Sequence, residues 1–533
     1  ATVKCDEVLQ ELSRDEVQSM LDTILSEAFG GEFLYALSGF KAEIERIVTY
    51  GVRVQKICAK CTDSESPAGN PSCYDDICGS SKYGSNATVS GLLMIPIQID
   101  EESSQEQQSS MIVPGLLKGS ILTHETQAHT CEQIPSENWS TNIISLILAS
   151  NGFVSIAPDY LGYGESFDHF KGYLIRRAYK LSTIPLWRKA QQMIANESGC
   201  ASELANNIVI GGYSEGGYGA VATAEGMECI GVEILSMMAG AGPYQLATAI
   251  LEIFDDTRKQ VYPASSLHYL VLHGSSASTI HGLYQEKYNY SKLLAEEWSV
   301  DGGVTSFSGN DIIDLTTKAT SASEMRNFIP KYPDDPLIII RSIIGDLVKI
   351  NLDANITDPC RDPEGITEGV EEVCEFLLEN DLRDYLRSVT YPFELCHSPM
   401  DEEVGISNVL PEFEYAHYEV SGGHTEAAPD CIFRYLTLST DASVSNAELK
   451  SSGLCSSTEP TLSPTIDLSE SPTEREQEPS SSPTIDEPDS RTDREQEPSS
   501  SPTIDEPESG ADRLHFSMVW LPLVSIIYIF SMS

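Results

Sequence analysis

Asn207-Ile208-Val209-Ile210-Gly211-Gly212-Tyr213-Ser214-Glu215-Gly216-Gly217 decides the reading of this chain. A short apolar run closes on two glycines, Ser214 stands between Gly212 and Gly216, and small residues continue through Gly219, Ala220 and Ala222. The pattern is that of a Gly-x-Ser-x-Gly strand-to-helix turn, which holds a serine on a strained corner with its hydroxyl exposed. Glycine suits positions 212 and 216 because side chains there would meet a neighbouring strand or helix. The tight turn also needs backbone angles that glycine adopts at little cost. Taken alone, the pentapeptide fits a glycine-rich loop after a strand as well, so the flanking chain has to decide.

On both sides of this stretch, strand patterns alternate with helical ones. Strands are expected over Ile47–Ile57, Thr88–Ile99, Gly119–Thr123, Phe153–Asp159 and Glu233–Met238, with Pro96 suggesting an edge position for the second. Helices are expected over Ile143–Ala149 and Tyr173–Asn196, and the pattern resumes with strands at Tyr391–Cys396 and Phe413–Val420 and a helix at Cys431–Leu438. Such alternation implies an α/β fold, a mostly parallel sheet with helices on both faces. Val8, Leu9, Leu12, Val17, Met20, Leu21, Ile24 and Leu25 recur at three- and four-residue spacing, so residues 1–45 are expected to form a helical extension. The core then spans 46–244 and 389–445. The stretch 245–388 is too long for a connection and is expected to be a cap over the active edge.

Composition limits the rest. A formal net charge of −48 excludes nucleic acid as a partner, because phosphate would be repelled. Between Ser456 and Asp512 stand 16 acids against 3 arginines, in a stretch where the motif starting at Glu474 nearly recurs from Asp493. Residues 446–512 therefore read as an extended, disordered Ser/Pro/Glu stalk. The apolar tail 513–533, preceded by Ser509-Gly510-Ala511, reads as a GPI signal or a short membrane anchor, the only expected link to a membrane. A start at Ala1 fits either a removed signal peptide or a fragment.

Cys58-x-x-Cys61 with Cys73 and Cys78 admits zinc, but the Ser/Pro/Gly/Asn-rich loop between the pairs favours disulfides, and no metal is expected. Sequons at Asn86, Asn138, Asn196, Asn289 and Asn355 point with the cysteines to a secreted, glycosylated chain at the cell surface.

A serine hydroxyl is a weak nucleophile until a base takes its proton and a third group fixes that base. After such a turn the partners follow in the order Ser, acid, His. His424, in Ser421-Gly422-Gly423-His424-Thr425 after the final strand, is the expected base. His417 lies inside an alternating strand and is expected to be structural. The acid should follow the penultimate strand, where Asp401-Glu402-Glu403-Val404 offers three carboxylates; Asp401, three before Val404, is preferred. The oxyanion is expected to meet backbone N–H groups of Glu215 and of Glu125 or Thr126 in the loop after the third strand.

Ala157-Pro158-Asp159-Tyr160-Leu161-Gly162-Tyr163-Gly164-Glu165-Ser166, the Gly-Tyr-Ser-Glu-Gly-Gly turn and the Gly-Gly-His loop together resemble the secreted lipases and esterases of the α/β-hydrolase superfamily. The likeness covers about residues 45 to 440 and is greatest to the secretory lipase group with a large helical cap. It implies the α/β-hydrolase fold and a Ser214–Asp401–His424 triad that cleaves small-molecule or lipid carboxylic esters without a cofactor. One departure stands out: the family's His-Gly-Thr oxyanion loop reads His124-Glu125-Thr126 here. Two alternatives stay open, a non-catalytic surface binding module on this scaffold and an exopeptidase of the same superfamily.

Overall fold

Strand β7 (Asn207–Tyr213) shows how the sheet is built. Ile208 and Ile210 enter one apolar cluster, Val209 and Tyr213 the other, as the two-residue period of a strand requires. Both faces of the strand are covered, which is why its sequence is continuously apolar. The computed structural model describes residues 4–27, 48–61, 77, 87–99, 110–111, 120–124, 143–166, 169, 172–198, 207–249, 360–361, 371–409, 413 and 416–450.

In chain order the strands are β1 (Val8–Leu12), β2 (Gly51–Lys60), β3 (Thr88–Ile99), β4 (Ser110–Met111), β5 (Ser120–His124), β6 (Val154–Pro158), β7, β8 (Glu233–Gly240), β9 (Phe393–His397) and β10 (His417–Glu419). The helices are α1 (Arg14–Glu27), α2 (Ile143–Ser150), α3 (Arg176–Ser198), α4 (Glu215–Cys229), α5 (Glu371–Glu379), α6 (Arg383–Ser388) and α7 (His424–Lys450). The sheet order is β1-β2-β3-β6-β5-β7-β8-β9-β10, with β4 on β3. The first pairings, β1 with β2, β2 with β3 and β3 with β6, are antiparallel. From β6 through β5, β7, β8 and β9 to β10 all pairings are parallel.

The chain leaves β5 through α2 to reach β6 on one side, then crosses back through α3 to β7 on the other. Leu146 and Leu148 of α2 lie in one apolar cluster while Tyr179, Leu181 and Ile184 of α3 lie in the second, so the two crossovers cover opposite faces. Reversal of direction at β5 opens a crevice at the carboxyl ends of β5 and β7, where α/β sheets receive their ligands. Ser214 follows β7 at this place.

Several expectations need correction. The N-terminus is not helical throughout: Val8–Leu12 forms β1, paired antiparallel to β2, and the helix starts only at Arg14. Ser13 caps it. Its hydroxyl accepts the Glu16 N–H at 3.2 Å while a Glu16 carboxylate oxygen accepts the Ser13 N–H at 2.8 Å. This reciprocal pairing ends the strand and begins the helix at one residue. The disulfide Cys5–Cys58 then fastens β1 to β2.

The edge position expected for Thr88–Ile99 does not hold either, since β3 lies between β2 and β6. Pro96 is tolerated because β6 pairs β3 only from Gly91 to Met94, leaving that flank of Pro96 outside the β6 ladder. Among the described residues of Phe413–Val420, the strand pairing is confined to His417–Glu419.

The boundaries of the cap and stalk also shift. Phe376, Leu377, Leu382 and Leu386 of α5 and α6 lie in the same apolar cluster as α3 and α4, so residues 371–388 pack as core. The rest of the expected cap, 250–359, lies outside the described residues, as do the expected stalk beyond Lys450 and the tail 513–533. Residues 446–450, assigned to the stalk by composition, continue α7.

Cys360–Cys374 and Cys396–Cys431 are further disulfides, and Cys61 and Cys229 are also disulfide-bonded. Cys58 therefore pairs with Cys5 rather than within the loop that contains Cys73 and Cys78. Asn196 lies in α3, and the other four sequons lie outside the described residues. Among the described residues, no helix is long and apolar enough to cross a membrane.

Candidate active site

The turn between β7 and α4 holds Ser214 at φ 57° and ψ −122°, a region that residues with a side chain seldom occupy. Two hydrogen bonds fix it: the Ser214 N–H reaches Gly240 O at 2.8 Å, and Ser214 O accepts the Tyr218 N–H at 3.2 Å. The close glycine contacts include Gly211 and Gly217, each one residue outside the pair singled out by the motif. A Cβ at Gly217 would stand 2.3 Å from Gly240 O, and one at Gly211 would stand 2.2 Å from the Tyr435 ring. Only glycine lets α4 lie this close to β8.

His424 is the first residue of α7 rather than part of a loop. Gly422, at φ 101°, turns the chain into the helix. Carboxylates then receive the exposed N–H groups of the helix start: Glu426 accepts from Gly423 at 3.1 Å and Glu402 accepts from His424 at 3.1 Å. Both also place negative charge where the helix dipole is positive. The Tyr213 hydroxyl donates to His424 O at 2.5 Å, tying the base to the residue before Ser214.

Asp401 lies in the loop after β9. Its Oδ1 accepts N–H groups of Glu403 and Val404 at 3.0 and 2.9 Å, which fixes the carboxylate within its own turn. Its Oδ2 stands 2.7 Å from His424 Nδ1, and His424 Nε2 stands 2.8 Å from Ser214 Oγ. An ionised carboxylate can only accept, so Nδ1 carries the proton and Nε2 is left to accept the serine hydroxyl. The disulfide Cys396–Cys431 joins β9, which leads into the acid loop, to α7, which carries the base.

The three consecutive acids divide their work. Asp401 holds the imidazole, Glu402 holds the backbone of His424, and Glu403 Oε2 lies 3.8 Å from His424 Nε2. Burial alone would lower the His424 pKa. The Asp401 hydrogen bond and the charges of Glu403, Asp401 and Glu402 outweigh it and hold the pKa above its ordinary 6.5. Burial would likewise raise the Asp401 pKa, but the His424 hydrogen bond and charge, helped by the Val404 N–H and His397, keep it below the usual carboxylate value.

His397 has no role in the sequence reading, yet it is fully buried behind the acid. Its Nε2 lies 2.7 Å from Val404 O and 3.5 Å from Asp401 Oδ2, while burial holds its pKa down. A neutral ring that donates to Val404 O braces the acid loop from below. Its position at the end of β9, four residues before Asp401, is the signal that marks it. His417, at the start of β10, has its Nε2 3.3 Å from His397 O.

Glu215, the first residue of α4, is buried, and the Tyr179 hydroxyl donates to its Oε1 at 2.8 Å. Burial and the Glu215 charge push the Tyr179 pKa well above 10, so the phenol stays protonated. Glu125 and Thr126 lie outside the described residues.

The segment after β6 forms a polar latch rather than part of the reacting centre. Ser90 Oγ donates to Asp159 Oδ2 at 2.5 Å and accepts the Glu165 N–H at 2.9 Å, and the buried Lys56 ammonium pairs with Glu165 at 2.5 Å. These contacts hold the end of β6 against β2 and β3.

No protein-family model matches the chain, and none of the curated proteins does. Solved structures are similar to it. A Legionella pneumophila protein with a provisional hydrolase name aligns at a TM-score of 0.50 and 16% identity, over 83% of this chain and 98% of that one. The rice cell wall degrading esterase LipA from Xanthomonas oryzae aligns at 0.49 and 16%, over 84% and 97%. Candida antarctica lipase A in its closed state aligns at 0.40 and 9%, over 76% and 80%. Strand order, direction reversal at β5 and the serine turn after β7 agree with the Legionella likeness: this chain has the α/β-hydrolase fold.

Proposed function

We propose that the protein is a serine hydrolase that cleaves carboxylic esters through an acyl-enzyme. Ser214 Oγ attacks the acyl carbon, His424 Nε2 takes its proton and passes it to the departing alcohol, and Asp401 keeps the imidazole in the right tautomer. Water then releases the acid by the same path in reverse. The backbone N–H of Glu215 is one oxyanion donor in this reading, and the loop of Glu125 and Thr126 supplies the other.

One observation carries the reading: the unbroken line Asp401–His424–Ser214, with contacts of 2.7 and 2.8 Å, ends on a serine held in a strained conformation. A structural serine needs neither the strain nor the buried carboxylate behind its partner. The cysteine pairings support an oxidising location outside the cell, with glycans at the five sequons and the tail 513–533 as an anchor.

The test is covalent labelling by a fluorophosphonate and turnover of p-nitrophenyl esters. Wild type is expected to label and turn over, and Ser214→Ala to lose labelling and to fall on the order of 10³-fold or more in kcat. Undiminished turnover by Ser214→Ala would end the proposal.

A further inference from the structure

Of the groups near the reacting atoms, Glu403 is the one the relay does not require. Asp401 already holds Nδ1, and Glu402 already holds the His424 backbone. Glu403 Oε2 instead lies 3.8 Å from Nε2, the same ring nitrogen that stands 2.8 Å from Ser214 Oγ, and its side chain is only 12% exposed. Its backbone is held in the acid loop, where the Glu403 N–H donates to Asp401 Oδ1 at 3.0 Å.

The chemistry of acyl transfer says what belongs beside Nε2. The bond from Ser214 Oγ to the acyl carbon forms, the bond from that carbon to the alcohol oxygen breaks, and the serine proton travels through Nε2 to that oxygen. Proton delivery demands that the departing oxygen come within hydrogen-bond reach of Nε2. The departing oxygen therefore comes within a few ångströms of the Glu403 carboxylate, which shares that nitrogen as a neighbour. A carboxylate in a largely buried position acts through a low effective dielectric, so its charge is felt strongly over a few ångströms. A neutral or anionic alcohol gains nothing from it, or is repelled. An alcohol with a cationic centre a few bonds from its oxygen is attracted.

Resting on the ester-hydrolase reading above, we infer that Glu403 is a specificity-determining residue that selects esters of cationic alcohols, such as amino alcohols and quaternary ammonium alcohols. The net charge of −48 acts in the same direction at long range, drawing cationic substrates toward the surface.

The experiment compares two isosteric esters of one acid, the 2-(trimethylammonio)ethyl ester and the 3,3-dimethylbutyl ester, on the full chain. The readout is the ratio of their kcat/KM values in wild type and in Glu403→Gln. The ratio is expected to favour the cationic ester in wild type and to drop about tenfold in the variant, or about 1.4 kcal/mol. A ratio unchanged within about twofold overturns the role of Glu403. Wild type alone gives a second measurement: its preference should decline from about 0.01 M to about 1 M salt as the charge is screened, and a preference indifferent to salt also overturns it. Failure of wild type to label with fluorophosphonate and to cleave either ester would remove the hydrolase reading and this inference together. Labelling and neutral-ester turnover with an unchanged ratio would remove only the inference.

Discussion

His424 sits among three carboxylates, and its protonation is where their combined effect should be visible. In the proposed mechanism His424 must be neutral to accept the Ser214 proton, so activity is expected to be lost as pH falls through the His424 pKa. That pKa is held above 6.5, which places the acid limb of kcat/KM on the alkaline side of an ordinary histidine. Glu402 adds to the rise by its charge while its oxygen holds the His424 N–H. Glu402→Gln keeps an oxygen acceptor but removes the charge, so the acid limb is expected to move to lower pH. A pH profile of kcat/KM checks it, and a limb that stays in place would count against the electrostatic account. Ser214, Asp401 and His424 are legible in sequence because a glycine-framed serine and a glycine-preceded histidine are local patterns, and chain order supplies the acid. The separate tasks of Asp401, Glu402 and Glu403 are not legible. Three adjacent carboxylates look alike until the turn closed by Asp401 Oδ1 sends their side chains to different atoms.

Between elements, the acid and the base arrive from pieces of chain that could part: β9 brings Asp401, and α7 brings His424. Cys396–Cys431 closes them into one unit, and the Ser398 hydroxyl, donating to Gly422 O, adds a second tie near the reacting centre. The double variant Cys396→Ser/Cys431→Ser is expected to lose about 2–4 kcal/mol of stability in guanidinium unfolding. Its kcat should fall as well, since the disulfide links the two elements whose spacing sets the 2.7 Å Asp401–His424 contact. Unfolding at an unchanged midpoint would show that the apolar packing of Tyr435 and Leu436, on the buried face of α7, suffices alone. The elements themselves were mostly readable from period and length, because strands buried on two faces and helices over them leave plain apolar runs. The N-terminus misleads for a definite reason. Val8, Leu9 and Leu12 recur at three- and four-residue spacings that suit a helix, yet all three belong to a strand. The capping pair Ser13 and Glu16 marks the true boundary in the sequence itself.

For the molecule as a whole, the sheet is the frame and its two apolar clusters are the core. Sequence alternation exposes that architecture, whereas partnerships between distant cysteines stay hidden because connectivity depends on which strands become neighbours. Cys5–Cys58 spans 53 residues far from the reacting centre. Cys5→Ser/Cys58→Ser is therefore expected to cost about 2–4 kcal/mol while kcat/KM stays near wild type, the opposite pattern to the β9–α7 pair. Equilibrium unfolding together with ester turnover separates the two cases; a large fall in turnover here would mean that β1 reaches the active edge through the sheet.

The same disulfide bears on how the chain behaves in a crowd of its own copies. The outermost strand of any open sheet offers a row of amides and carbonyls on which another molecule's strand could grow. At one end the row is the five-residue β1, pinned by Cys5; at the other it is the three-residue β10. Over the described residues, borders this short give edge-to-edge stacking of molecules little length on which to nucleate.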